Sequence, residues 1–153
     1  MRFFLIFVFS VSFATKGVAG CNIVNGTAYG DCAGVSVHTG TTSFQVVDSY
    51  LSLTGISEGA KVLSGGSLIV SGIAQRVIVE QGGMAQVSGV VQHVEVSGTV
   101  QVSGKIGTIL LQDGGRDIVQ GIVGQITGNG TALFEAGSVI AGNPTTTTRE
   151  VAY

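Results

Sequence analysis

Three features that recur together predict an all-β fold, a single-stranded parallel β-helix (β-solenoid). A residue pair ending in glycine returns every 15–17 residues, a second glycine follows at a nearly fixed distance, and apolar residues alternate between these corners. Three short strands with three corners make one triangular coil of 16–17 residues, and about six coils fit between residues 38 and 142. We expect a right-handed solenoid, by extension of the preference shown by parallel β crossovers.

The first corner is a hydroxyl residue followed by glycine, and it degenerates toward the C-terminus. Its members are Thr54-Gly55, Ser71-Gly72, Ser88-Gly89, Ser103-Gly104, Gln120-Gly121 and Ala136-Gly137. The second corner lies 9 or 10 residues after each glycine, at Gly65-Gly66, Gly82-Gly83, Gly98, Gly114-Gly115 and Gly130. A phase kept over five repeats favours stacked parallel coils, because an antiparallel sandwich does not need the same residue type at the same coil position.

Apolar residues with a period of two flank the corners and predict the strands. Before the first corner, the inward pairs are Leu51/Leu53, Leu68/Val70, Ala85/Val87 and Val100/Val102. Five and seven residues after its glycine, they are Ala60/Val62, Val77/Val79, Val94/Val96 and Ile109/Leu111. We expect a third inward side just after that glycine, at Ile56, Ile73, Val90-Val91, Ile106 and Ile122-Val123. Helix is disfavoured, since each glycine costs about 1 kcal/mol relative to alanine.

Residues 1–20 are predicted to be a signal peptide. Arg2 precedes an uncharged apolar stretch, residues 3–15, that is too short to span a bilayer, and residues 18–20 are small, as at a cleavage site. The mature chain then begins at Cys21 and contains no transmembrane helix. We expect it to be exported to the periplasm, the cell surface or the extracellular space.

Residues 21–37 are predicted to form an N-terminal cap closed by a disulfide between Cys21 and Cys32. In an oxidising compartment Cys32 needs a partner, and Cys21 is the other cysteine of the chain. So short a loop contributes about 2–3 kcal/mol. The alternative is a lipoprotein anchored at Cys21, since residues 18–21 resemble the bacterial lipobox. We expect no metal site, because these cysteines and His38 lack tetrahedral ligand spacing.

Two acidic residues interrupt the inward pattern near the C-terminus. Asp117 stands where Leu68 and Val100 stand. It is either buried and paired with Arg116 or turned outward by a bulge after Gly114-Gly115, and we expect the bulge, because a buried unpaired charge is expensive. Glu135 takes the position of Val119, which indicates that the core is closing there.

The solenoid is expected to end shortly after this point. Leu133 and Phe134 are suited to plug the last coil. Pro144 lacks a backbone donor and should stop further strand pairing, so that residues 143–153 form a C-terminal tail.

Low charge excludes several classes of function. Without Arg2 and Lys16, 5 of the 7 basic residues remain against 9 acidic ones, for a formal net charge of −4. Such a chain has no basic stripe for nucleic acid. Its high apolar content argues against disorder.

Polar and charged residues concentrate on the strand after the third corner. Arg76 and His93 should stack on neighbouring coils. The candidate surface patch consists of Lys61, Arg76, Glu80, His93, Glu95 and Gln112. The plainer interpretation is a solvated face of mixed charge. A polysaccharide-active enzyme would need several of these groups around one concave pocket, and no acid/base pair converges at a readable spacing. We therefore expect no catalytic residue and no cofactor.

The repeat resembles two groups of bacterial β-helix proteins over residues 50–140. One is the Gly/Ser/Val-rich passenger region of autotransporter adhesins, and the other is the bactofilin-type polymer-forming proteins. The first resemblance implies a non-enzymatic structural or interaction module at the cell envelope or outside the cell, with a protein or surface glycan as partner. The second implies a homo-oligomer, a subunit stacking end to end.

Overall fold

The computed structural model describes residues 21–24, 27–31, 35–36, 44–142 and 145–150, and these residues form strands and turns. The strands are β1 (Cys21–Val24), β2 (Thr27–Tyr29), β3 (Val35–Ser36), β4 (Phe44–Val47), β5 (Tyr50–Thr54), β6 (Ile56–Val62), β7 (Ser67–Val70), β8 (Ile73–Val79), β9 (Met84–Val87), β10 (Val90–Val96), β11 (Thr99–Val102), β12 (Lys105–Leu111), β13 (Arg116–Val119), β14 (Ile122–Phe134), β15 (Val139–Ile140) and β16 (Thr145–Glu150). Short and long strands alternate from β5 to β14. No helix in this part of the chain is long and apolar enough to cross a membrane.

The strands stack in two parallel ladders that share the long strand β14. The short strands β1, β5, β7, β9, β11 and β13 pair in that order and end on the second half of β14. Strand β4 and the long strands β6, β8, β10 and β12 pair in that order and end on its first half. This arrangement is a parallel β-solenoid of about six turns, which confirms the predicted fold class. Its right hand stays a prediction.

The core is a set of inward columns, one residue per coil. The two columns on the short strands and the two on the second half of the long strands are buried where the alternation predicts, as at Val70, Val87, Val94 and Val96. The long strand bends at its middle, where two consecutive residues such as Gln92 and His93 point outward. This bend makes the third corner of the triangle.

The third inward side is confirmed at Val91, Ile106 and Val123, which are buried, and is shifted by one residue from its prediction at Ile56 and Ile73. Behind the glycine corner the strand begins with an outward residue, so that Ile56 and Ile73 are exposed while Ser57 and Ala74 point inward. The same order, an outward residue followed by an inward one, places Lys105 outside and Ile106 inside. The prediction was wrong because Ile56 and Ile73 are more apolar than the small residues that follow them.

The first glycine corner brings the backbones of successive coils close together. A Cβ atom on Gly89 would lie 2.0 Å from the carbonyl oxygen of Gly72, and one on Gly104 would lie 2.1 Å from that of Gly89. Each of these carbonyls accepts a hydrogen bond from the next coil, as Gly72 does from the N–H of Val90 at 2.9 Å. The hydroxyl of Ser88 donates back to the carbonyl of Val70 at 3.3 Å. Glycine at this corner is therefore a packing requirement.

The turn after each long strand varies in length. It holds four residues, 80–83, between β8 and β9, but only Ser97 and Gly98 between β10 and β11. In the longer turn, the N–H of Gly83 donates to the carbonyl of Glu80 at 2.9 Å, and Gly82 has a φ of 81°, as a type II turn requires. The register of the flanking strands is kept in both cases.

The N-terminal end begins earlier than predicted. Strand β1 pairs in parallel with β5, which places Cys21 in the buried column of Leu51. Antiparallel strands cover this end, β2 on β1 and β3 on β4. Residues 21–24 are thus part of the first coil, and the covering strands β2 and β3 come after them. The predicted signal peptide, Cys32 and His38 lie outside the described residues, and the disulfide stays a prediction.

The C-terminal end extends further than predicted. Strand β16 pairs in parallel with β14 beyond Pro144, so the expectation that pairing stops at this proline was wrong. The inward position next to Val119 is taken by Phe134, which is buried, whereas Glu135 lies one residue later and is half-buried. Leu133 points outward. Phe134 therefore fills the inward position beside Val119.

Asp117 points into the core, and the predicted bulge is absent. It pairs in register with Val100 and with Ala132, and it is fully buried. Neither carboxylate oxygen makes a hydrogen bond of normal geometry. Burial raises the pKa of Asp117 from 3.8 to about 7, and the backbone amide of Ile118 opposes this rise only in part.

Candidate functional site

The candidate site is the outward surface of the second half of the long strands, which we call the charged face. Its outer columns begin at the bend of each strand and alternate with the buried valine columns. The bend column consists of Gly59, Arg76, His93, Thr108 and Gln125. The column two residues later consists of Lys61, Ile78, Glu95, Leu110 and Thr127. A rigid ladder thus sets the spacing of these side chains at about 4.8 Å per coil.

Two ion pairs cross the charged face diagonally. The ammonium of Lys61 lies 2.6 Å from a carboxylate oxygen of Glu80. The guanidinium of Arg76 contacts the carboxylate of Glu95 on the next coil. These side chains are half-buried to exposed, so each pair contributes at most about 1 kcal/mol to stability.

His93 stacks between Arg76 and Thr108, as the stacking prediction for Arg76 and His93 requires. Its ring nitrogen Nδ1 lies 2.6 Å from the hydroxyl oxygen of Thr108. The imidazole is therefore held across the face, toward the coil that follows it.

A cavity of about 410 Å³ opens on the charged face beside His93. Its polar lining is supplied by Arg76, His93, Glu95, Thr108, Gln125 and Thr127. Leu110, which is 43% exposed, adds an apolar wall. The cavity therefore brings a cationic group, an anionic group and uncharged hydrogen-bonding groups together in one place.

The six residues predicted as a patch divide into two groups. Arg76, His93 and Glu95 line the cavity. Lys61 and Glu80 form the neighbouring ion pair, and Gln112 lies in a turn, where it accepts a hydrogen bond from Ser97 at 3.3 Å. Glu80 does not line the cavity.

Sequence reasoning missed three polar residues of the cavity, Thr108, Gln125 and Thr127. A signal for two of them was present. Thr108 and Gln125 each stand four residues after a corner glycine, as Arg76 and His93 do.

No group of three or more histidine, cysteine, aspartate or glutamate side chains in the described part of the chain is placed to hold a metal ion. No protein-family model matches the sequence, and comparisons with curated proteins and with solved structures found no match.

Proposed function

We propose that this chain is an exported, non-enzymatic β-solenoid that serves as an adhesin-like interaction module at the cell envelope or outside the cell. The observation that carries the proposal is the cavity on the charged face, where Arg76, His93 and Glu95 converge on a rigid ladder. Surface sites that combine a few fixed polar groups with an apolar wall are typical of binding.

The partner we propose is a protein segment or a surface glycan that presents polar groups. Arg76 and His93 supply donors, Glu95 supplies acceptors, and Thr108 supplies both. The walls consist of stacked strands, so binding requires little ordering of the protein backbone.

A binding role fits the chemistry of the face better than catalysis does. The carboxylates of Glu80 and Glu95 each face a cation. A general acid and base working as a pair would instead need environments that separate their pKa values. We therefore favour recognition through the ion-paired surface.

The test is a binding measurement on immobilised polysaccharides and extracellular matrix proteins, using the wild-type chain, Arg76→Ala and His93→Ala. Gln86→Ala is the matched control, since Gln86 is exposed on the short strand preceding His93. We expect saturable binding that weakens about tenfold or more in both cavity variants and is unchanged in the control. Binding that is indifferent to both variants would contradict the proposal. Release of reducing ends from the polysaccharides that depends on His93 would instead favour a polysaccharide-active enzyme.

A second candidate function is end-to-end assembly, because β16 extends the parallel ladder past Pro144. The outer edge of this strand is the last described rung of its ladder, and edge strands template the pairing of further chains. Assembly would appear as growth with concentration in sedimentation. Thr148→Pro should abolish it by removing a backbone donor from the outer edge, because Thr147 is in register with Thr131, whose N–H donates to the preceding coil.

A further inference from the structure

An exposed apolar ladder runs along a face of the solenoid other than the charged face. It consists of Ile56, Ile73, Val90, Lys105, Ile122 and Val139, the first outward residues behind the glycine corner. Its five apolar members are each between 40% and 63% exposed. Scattered exposed apolar residues are ordinary, but these five stand in register in one column. Together they approach the few hundred Å² at which a patch marks an interaction site.

The surroundings of this ladder carry almost no charge. The corner on one side presents hydroxyl, amide and small side chains. The bend on the other side presents Gln75, Gln92 and two glycines toward the ladder, and Arg76 and His93 follow them on the charged face. In the described coils, Lys105 in the ladder and Glu58 at its border are the charged residues of this face, and both are exposed. They have opposite sign and lie three coils apart, at about 14 Å along the solenoid.

We propose that this apolar ladder is the interface of a homodimer, in which the ladder of a second copy packs against it. A second copy has the same coil repeat, so the two columns remain in step over their whole overlap. Stacked sheet faces pack about 10 Å apart with their side chains interdigitated. A two-fold axis makes such a patch self-complementary, as in most homodimers.

The two charges select the orientation of the dimer. When the two solenoids lie side by side in the same direction, equal coils face each other. Lys105 of one copy then faces Lys105 of the other, and the two positive charges repel. With the solenoids in opposite directions and four coils overlapping, Lys105 of each copy faces Ile56 of the other and lies beside Glu58. Two Lys105–Glu58 contacts then flank a centre made of Ile73 and Val90. The antiparallel arrangement is therefore favoured.

The dimer is expected to be weak. Four overlapping coils bury on the order of 700–1,000 Å² in total, at the low end for specific interfaces. The expected dissociation constant is on the order of 10–100 µM, so the dimer forms and dissociates with concentration.

The test is sedimentation velocity of the whole exported chain over a range of concentrations, with charge-reversal variants at exposed positions. Lys105→Glu and Glu58→Lys should each weaken the dimer about tenfold, since each places like charges across the interface. The double variant carrying both reversals should recover the wild-type dissociation constant to within about threefold. Gln101→Glu on the short-strand face is the matched control and should leave it unchanged.

Three outcomes would overturn the inference. The first is a wild-type chain that stays monomeric to about 1 mM. The second is a double variant that dimerises as weakly as the single variants, and the third is a Gln101→Glu control that dimerises as weakly as Lys105→Glu. Circular dichroism of each variant confirms that the fold is kept. The inference concerns a different face from the proposed function, so partner binding at the His93 cavity and dimerisation succeed or fail separately.

Discussion

Asp117 lies directly beside Val100 in the parallel ladder, and both side chains are fully buried in the same inward column. One coil of the core thus holds a carboxyl group where its neighbour holds an isopropyl group. Because the carboxylate has no regular hydrogen bond, its ionisation is opposed by the fold.

The stability of the protein should therefore depend on pH in an unusual direction. The folded-state pKa of Asp117, about 7, exceeds the ordinary value of 3.8. Between these values the folded state binds the proton that the unfolded state has lost, so the free energy of unfolding from this group falls as pH rises from about 4 to about 7. The change is on the order of 3–4 kcal/mol. Urea unfolding at pH 4, 5, 7 and 8 measures it.

Asp117→Val should remove that dependence. We expect the variant to raise the free energy of unfolding at pH 8 by on the order of 3 kcal/mol and to change it far less at pH 5. Asp113→Asn, at an exposed turn position, is the control and should behave like wild type. A wild-type free energy of unfolding that stays level or rises between pH 4 and pH 7, with Asp117→Val following the same profile, would contradict the role of Asp117.

Gly89→Ala should destabilise the solenoid by about 3 kcal/mol, because the new Cβ would meet the carbonyl oxygen of Gly72 at 2.0 Å. Gly114→Ala separates this clash from ordinary glycine strain. Gly114 has a φ of 80° with open space around it, so its substitution should cost about 1–2 kcal/mol. If the corner had no packing requirement, Gly89→Ala would lower the denaturant midpoint less than Gly114→Ala does, because Gly89 does not have a positive φ.

Val102→Asp should unfold the protein near neutral pH, since it adds a second unpaired carboxylate to the core at a cost of about 4 kcal/mol or more. Gln101→Asp, one residue earlier and pointing outward, should change the free energy of unfolding by less than about 1 kcal/mol. Circular dichroism melts compare the pair. Equal damage from both would mean that the inward and outward positions are reversed.

The ion pair between Arg76 and Glu95 should contribute little to folding. A double-mutant cycle with Arg76→Gln and Glu95→Gln is expected to give a coupling energy of about 0.2–1 kcal/mol that falls in high salt. A larger coupling that is insensitive to salt would show that the pair is effectively desolvated and structural.

The state of the two cysteines is testable by intact mass and thiol counting on protein from its own host. We expect a chain that begins at Cys21, lacks two hydrogens and contains no free thiol. A mass raised by diacylglycerol, with Cys32 free, would establish the lipoprotein alternative instead.

The solenoid could be predicted from sequence because stacked coils repeat their requirements. Val87 and Val102 are buried for the same reason, and Gly72 and Gly89 admit no side chain for the same reason. Any one of these residues is a weak signal, but the fixed phase makes the set strong.

The errors arose where the apolar character of a residue disagrees with the alternation of inward and outward positions along its strand. Ile73 is more apolar than Ala74, yet the corner geometry points Ile73 outward and Ala74 inward. The equivalent pair Lys105 and Ile106 shows the actual order, with the first residue outside and the second inside. The cost of a buried charge predicted an outward Asp117, but a raised pKa lets the core hold this side chain in its neutral form over part of the pH range. Polar uncharged cavity residues such as Gln125 went unnoticed because their importance depends on neighbours from other coils.

The variable turn after each long strand has a consequence for how such a chain tolerates change in length. Two residues, at the positions of Gln81 and Gly82, are simply missing from the turn at Ser97-Gly98, while the strands on both sides keep their partners. Insertions there displace neither the buried columns nor the glycine corner, because the turn lies outside both ladders. This edge of the solenoid is thus a natural place to graft a foreign peptide loop, and the solenoid would display a series of such loops at intervals set by its own coils.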